Sequence, residues 1–272
     1  MRFCAILILY LLICGGWPQK SPTGPAPETP YVEREEKQFK FYPGGKIEIT
    51  AGIPGDIRIL GWQKSTVRIE VEKIVYYHAE EEAKALLKEH PIKVRYNQTS
   101  ATVRIAEPTR PGATMEYNIA LYVPSEKTDV RIGMSRGDFS VESVNGWIEV
   151  TDGEGSLEAR GMAGYFSANT LKGDIYAEMS GKHWNGLEFA ALTARGSIDL
   201  RLPPEYSAAL QLETRDGKIT VDYPPPVVDG EPEPPDIIIR KNSQSLKGAV
   251  GDGGSPIKLV SYAGDIRVSR KE

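Results

Sequence analysis

The chain has 272 residues, 40 % hydrophobic and 26 % charged, with 27 Gly and 20 Pro. That is a globular composition, which excludes collagenous, disordered and multi-span membrane classes. A formal net charge of −4 gives no overall basic field to gather nucleic acid, and three His with two Cys leave little material for zinc, haem or thiol chemistry. Arg2, the apolar run 3–13 and the small-residue exit Cys14-Gly15-Gly16 form a secretory signal pattern, so 1–16 reads as a signal peptide. The run falls short of the roughly 20 residues that a membrane-spanning helix needs.

Removal after Gly16 takes away Cys4 and Cys14 and leaves a chain of net charge −5, since Arg2 is the one charge lost (32 Lys+Arg against 37 Asp+Glu). A competing fate is lipidation of Cys14. Leu11-Leu12-Ile13-Cys14 is similar to a bacterial lipobox, although Ile13 stands where that pattern has a small residue. Both readings place the protein outside the cytoplasm, in the periplasm, the cell envelope or the medium. The segment 17–35, with five prolines between Trp17 and Val32, is expected to be an extended Pro-rich linker to a domain over 36–272.

From Lys46 onward apolar and polar residues alternate, at Ile47 and Ile49, Ile57 and Ile59, then Val67, Ile69 and Val71. Such alternation predicts strands with one buried face. One helix is expected from Ala79 to His90. It is built from strong helix formers, with Ala83, Leu86 and Leu87 on one side and Pro91 as its stop. Strands resume at 92–96, 101–105 and 117–123, and complete an N-terminal region over 36–124.

The segment from Gly137 to Ala177 carries a period of nine. Glycine recurs at 137, 146, 155, 164 and 173; the third residue of each unit is Phe139, Ile148, Leu157, Phe166 or Ile175, and the fifth is Val141, Val150, Ala159, Ala168 or Ala177. Residues two apart on a strand share a face, so each unit predicts one short strand with two inward side chains. The residue after each glycine alternates as Asp138, Trp147, Ser156, Tyr165 and Asp174, which makes equivalent environments recur every eighteen residues. The expectation is an all-β chain whose repeats over 125–272 form a parallel β-solenoid with two short strands per rung. A Pro-rich insertion at 223–236 interrupts it.

Gly55-Asp-Ile-Arg-Ile-Leu-Gly-Trp-Gln, Leu121-Tyr-Val-Pro, Leu202-Pro-Pro and the closing Gly264-Asp-Ile-Arg-Val accompany these units. On these motifs, over roughly residues 40–270, the chain resembles the bacterial putative-adhesin domain family. The resemblance implies a β-solenoid in an envelope or extracellular setting. It brings no functional residues to carry over.

Chemistry is sparse. A calcium-binding nonapeptide needs Gly-Gly-x-Gly-x-Asp, whereas these units hold at most one turn Asp, at Asp138, Asp174 or Asp265, a residue that favours turns for its own backbone hydrogen bonding. Glu149 and Glu158 fall at outward strand positions and show no acid clustering. His78, His90 and His183 lie outside any nucleophile-elbow context, and Asn97-Gln98-Thr99 matches the short glycosylation sequon. No catalytic residue, cofactor or metal ligand is assigned. Trp147 and Tyr165, eighteen apart, form a candidate ligand surface, which Trp184 is expected to extend.

The leading function is therefore a non-enzymatic exported adhesin or interaction scaffold. Its partner is an unidentified protein or glycan surface, not nucleic acid, and it meets a membrane only through the signal peptide or a lipid anchor. Two alternatives are a carbohydrate-active module that binds or cleaves polysaccharide and an envelope-stress sensor module.

Overall fold

The computed structural model describes residues 29–77, 80–107, 114–224, 227–228, 231–232, 236–240 and 243–271. The signal segment, Cys14 and most of the linker lie outside them. No helix among the described residues is long and apolar enough to cross a membrane.

The chain is all-β with one described helix, and two large sheets carry it. The first sheet runs in the spatial order Thr29–Lys40, Thr66–Tyr77, Met115–Pro124, Ile57–Trp62, Phe139–Glu142, Leu157–Arg160, Ile175–Glu178, Ile198–Leu202, Ile266–Arg270, Ile219–Asp222. The second runs Asp236–Arg240, Ser243–Val250, Ala208–Asp216, Pro256–Ala263, Gly186–Thr193, Ala163–Lys172, Asn145–Glu154, Asp129–Arg136, Lys46–Ala51, Ser100–Ile105, Lys93–Tyr96. Inward side chains of both sheets join in one core.

This corrects the expected parallel β-solenoid. Both sheets are mixed. Antiparallel pairing joins Thr29–Lys40 to Thr66–Tyr77 and the latter to Met115–Pro124. It recurs at both ends of the second sheet. The strand order is not sequential either. Ile57–Trp62 inserts between Met115–Pro124 and Phe139–Glu142, and Ile266–Arg270 inserts between Ile198–Leu202 and Ile219–Asp222. The physical reason lies in strand length. The two twelve-residue strands of the N-terminal flank have no glycine corner every nine residues and pair along their whole length, although Lys46–Ala51 and Ile57–Trp62 lie between them in the chain.

In the centre, neighbouring strands are parallel and eighteen residues apart. Trp147 pairs with Tyr165 and Ile148 with Phe166 in the second sheet, and Leu157 pairs with Phe139 and Ile175 in the first. Phe139, Ile148, Leu157, Phe166 and Ile175 are all buried. Glycine is required at the corners because backbones stack there. A Cβ on Gly155 would overlap the carbonyl oxygen of Gly137, and one on Gly173 that of Gly155. Two polar columns flank the glycines. Outside, Asp138 Oδ1 accepts the backbone N–H of Ser156, Asp174 Oδ1 that of Ser197, and Asp265 Oδ1 that of Lys218, each at 2.8 Å. Inside, buried hydroxyls donate to glycine carbonyls, Thr193 to Gly173 at 2.9 Å, Thr214 to Gly264 at 2.8 Å and Ser261 to Gly196 at 2.8 Å.

The linker boundary also moves. Thr29–Lys40 is a strand, so chain expected to be linker is already folded by Thr29. Its Glu33 accepts a bond from buried Lys73 at 2.8 Å, and Glu35 accepts a second from the same ammonium. Burial alone would lower the Lys73 pKa, but these two carboxylates outweigh it and raise it. The helix occupies Glu80–Glu89, with acids in its first turn and Lys88 in its last, as the helix dipole favours. The first residue of the Pro-rich insertion is anchored to the fold. Tyr223 is buried, and its hydroxyl donates to the Pro203 carbonyl and accepts the Tyr206 N–H.

Candidate functional site: the outer face of the second sheet

Alternation in Asn145–Glu154 and Ala163–Lys172 turns Trp147, Glu149, Tyr165 and Ser167 outward while Ile148 and Phe166 enter the core. Parallel pairing in register sets Trp147 directly beside Tyr165, with ring centroids 4.0 Å apart and planes 25° from parallel. Trp147 is 41 % exposed. Facing ring surfaces cover one another, so the edges and end faces of the stack remain for a ligand.

A polar frame fixes the stack. The Trp147 indole N–H donates to Glu149 Oε1 at 2.7 Å, and Arg131 Nε donates to Glu149 Oε2 at 2.7 Å. The Trp147 backbone N–H donates to Asp129 Oδ1 at 3.0 Å. The Arg131 bond, followed by the Trp147 bond, holds the Glu149 carboxyl below the usual carboxylate range. Glu149 is thus a carboxylate at neutral pH, suited to orienting an indole or accepting a ligand hydroxyl and unsuited to donating a proton.

Trp184 does not join this surface. It is 2 % exposed, its indole N–H donates to the Gly164 carbonyl at 3.1 Å, and its ring meets Phe189 edge-on at 5.4 Å. It braces from inside the strand that carries Tyr165. Just after Trp184, opposite Gly164 and Tyr165, the strand Gly186–Thr193 carries a bulge that gains one residue, Leu187, which is exposed. Leu171, Leu187 and Tyr262 are also exposed on strands of this sheet. Sequence reading missed them because single outward apolar residues carry no periodic signal.

Glu149 and Glu158 stand on different sheets and on opposite outer faces, so they cannot flank one glycosidic bond. One carboxyl is pushed clearly upward. Asp152 reaches about 6 through burial, but it is 2 % exposed and sits in the inner hydroxyl column, out of reach of a substrate. Asp138, Asp174 and Asp265 are engaged at the corners, and no group of three or more His, Cys, Asp or Glu side chains is arranged for a metal among the described residues. His90 is buried, with Nδ1 3.0 Å from the Leu86 carbonyl oxygen, and its own carbonyl accepts the Tyr117 hydroxyl. His183 forms an isolated bridge to Ser207, and His78 lies outside the described residues. Asn97 Oδ1 accepts the N–H groups of Thr99 and Ser100, an Asx turn.

No protein-family model matches the chain, and no curated protein matches it. Among solved structures it is similar to a putative cell adhesion protein from Clostridium sporogenes, at 15 % identity over 88 % of this chain and 100 % of that one, with a TM-score of 0.48. A putative adhesin from Bacteroides fragilis matches at 14 % identity over 88 % and 97 %, with a TM-score of 0.28. A putative lipid binding protein from Parabacteroides distasonis matches at 12 % over 86 % and 96 %, with a TM-score of 0.24. At these scores the likenesses carry no argument about this chain.

Proposed function

We propose that the protein is a non-enzymatic, exported interaction scaffold that presents the outer face of its second sheet to a protein or glycan surface. The observation that supports this most is the exposed Trp147–Tyr165 stack, held in place by Glu149, Arg131 and Asp129 on a sheet whose strands are locked in register. Aromatic edges beside a carboxylate–guanidinium pair suit a ligand with apolar CH faces and hydroxyl groups, as sugars have. The export part of the proposal rests on the 1–16 signal pattern.

The full chain, screened against purified glycans and extracellular-matrix proteins, is expected to capture a ligand that Trp147→Ala no longer binds. A ligand bound equally by wild type and Trp147→Ala would move the site elsewhere. Mass measurement of the native protein tests export: loss of 1–16, or lipid on Cys14, is expected, and an intact cytoplasmic chain contradicts it.

A further inference from the structure

The far edge of the second sheet carries a different kind of site. Ser100–Ile105 and Lys93–Tyr96 pair antiparallel, and the register sets Lys93 directly opposite Arg104 and Arg95 opposite Thr102. Thr50, on the next strand, lies beside Arg104. These residues line a pocket of about 490 Å³, together with Glu89 at the end of the helix and Pro91 beyond it. Two like charges directly opposite each other on a strand pair are destabilising. Several arginines on the outer faces are paired with a carboxylate: Arg58 with Glu142, Arg131 with Glu149, Arg160 with Glu158 and Glu178, Arg136 with Glu154. Among the described residues, Lys93, Arg95 and Arg104 have no such partner within ion-pair distance. The acids nearest in the pattern are Glu89, in the pocket lining, and Glu48, which pairs in register with Thr102. Three unpaired cations converging on one pocket, in a chain of net charge −4, run against the overall balance.

We propose that this pocket binds oxyanion groups, sulfate or carboxylate, carried on an acidic polysaccharide. The Lys93–Arg104 pair would take one group, with the Thr50 hydroxyl as a further donor. Arg95 and Thr102, two residues along the hairpin and so about 7 Å away, would take the next. Two rows of donors at that spacing suit a chain of repeated charges better than one small ion. Guanidinium groups supply paired N–H donors for oxyanions, and a bound anion relieves the Lys93–Arg104 repulsion. The inference is independent of the Trp147–Tyr165 proposal, which concerns the centre of the sheet.

The test uses the full chain, dextran sulfate and neutral dextran, with titration calorimetry at two salt concentrations. Wild type is expected to bind dextran sulfate with an affinity that falls as salt rises, and to ignore neutral dextran. Arg104→Gln and Arg95→Gln should each weaken binding about tenfold, while Lys172→Gln, a surface control on another strand, should leave it unchanged. Without ligand, Arg104→Gln should unfold at the same temperature as wild type or slightly higher, because a repulsion is removed. With dextran sulfate present, wild type should gain thermal stability that Arg104→Gln does not. Three results would overturn the proposal: equal binding by wild type and Arg104→Gln, equal weakening by Lys172→Gln, or binding to phosphatidylglycerol vesicles with none to dextran sulfate. Aggregation of Arg104→Gln with undiminished binding would also overturn it, and would leave the cations as guards of an open sheet edge.

Discussion

The two outer faces of the molecule spend their charges differently. On the first sheet, Arg160 bridges Glu158 and Glu178, Lys271 reaches Glu178, and Tyr176 lies under Arg160 and Arg201 with its hydroxyl on Glu178. Around Tyr176 the charges of that face pair with one another. The second sheet leaves Trp147, Leu171, Leu187 and Tyr262 in water, and at its edge three cations have no ion-pair partner among the described residues. Both faces rest on the same interior and the same corners. The difference between them therefore comes from the outward residues, and it is the ground for proposing the second sheet as the binding face.

The strongest way to break the comparison is to break the corner that both faces share. Gly155 has no room for a side chain against the Gly137 carbonyl. Gly155→Ala should cost more than about 4 kcal/mol in chemical denaturation, or prevent folding, and it should disturb both faces together. A near-neutral effect would mean that the strands do not stack there.

A sharper cut separates inward from outward on one strand. Leu157 is buried between Phe139 and Ile175, while its neighbour Glu158 faces out. Leu157→Ala should cost about 2–5 kcal/mol through lost transfer energy and an unfilled cavity. Glu158→Ala should stay within about 1 kcal/mol, the range of an exposed ion pair. Equal losses in denaturant titration would show that the register has been assigned one residue out.

A smaller effect comes from Asp152, a carboxyl in a column otherwise filled by Thr170, Thr193, Thr214 and Ser261. Burial raises it from 3.8 to about 6, with neither oxygen well bonded. The native state holds this proton more tightly than the unfolded chain. Its contribution to stability therefore falls as pH rises from about 4 to 6 and is fully lost above that, by up to about 3 kcal/mol. Asp152→Asn should remove this part of the pH dependence. Asp152→Thr should stabilise the protein at pH 8, because a hydroxyl there can donate to the Gly137 carbonyl as Thr193 does to Gly173. Identical pH profiles for wild type and Asp152→Asn would contradict the account.

Burial was readable from the residues where alternation is strict. Phe139, Ile148, Leu157, Phe166 and Ile175 announce themselves by spacing, and so does the helix around Ala83, Leu86 and Leu87. Pairing was not readable. Nothing local in Thr66–Tyr77 says that it returns antiparallel on Thr29–Lys40, or that Ile266–Arg270 slips between two earlier strands, because long-range order depends on which edges are open when the strands meet. For the site, the Trp147–Tyr165 juxtaposition follows from the eighteen-residue recurrence. Trp184 precedes the strand Gly186–Thr193, where the eighteen-residue spacing no longer holds, so its turn inward onto Phe189 and the Gly164 carbonyl was not readable from it. The basic pocket escaped because Lys93, Arg95 and Arg104 come from two strands of an edge hairpin, and scattered in sequence they look like ordinary surface charge.

The most direct test of the central claim compares the two faces in one binding assay. Wild type, Trp147→Ala with Tyr165→Ala on the second sheet, and Arg160→Ala with Tyr176→Ala on the first are each passed over the same panel of purified glycans and matrix proteins. The account predicts that the second-sheet variant loses at least tenfold in affinity for the captured ligand while the first-sheet variant binds as wild type does. Loss confined to the first-sheet variant would contradict it.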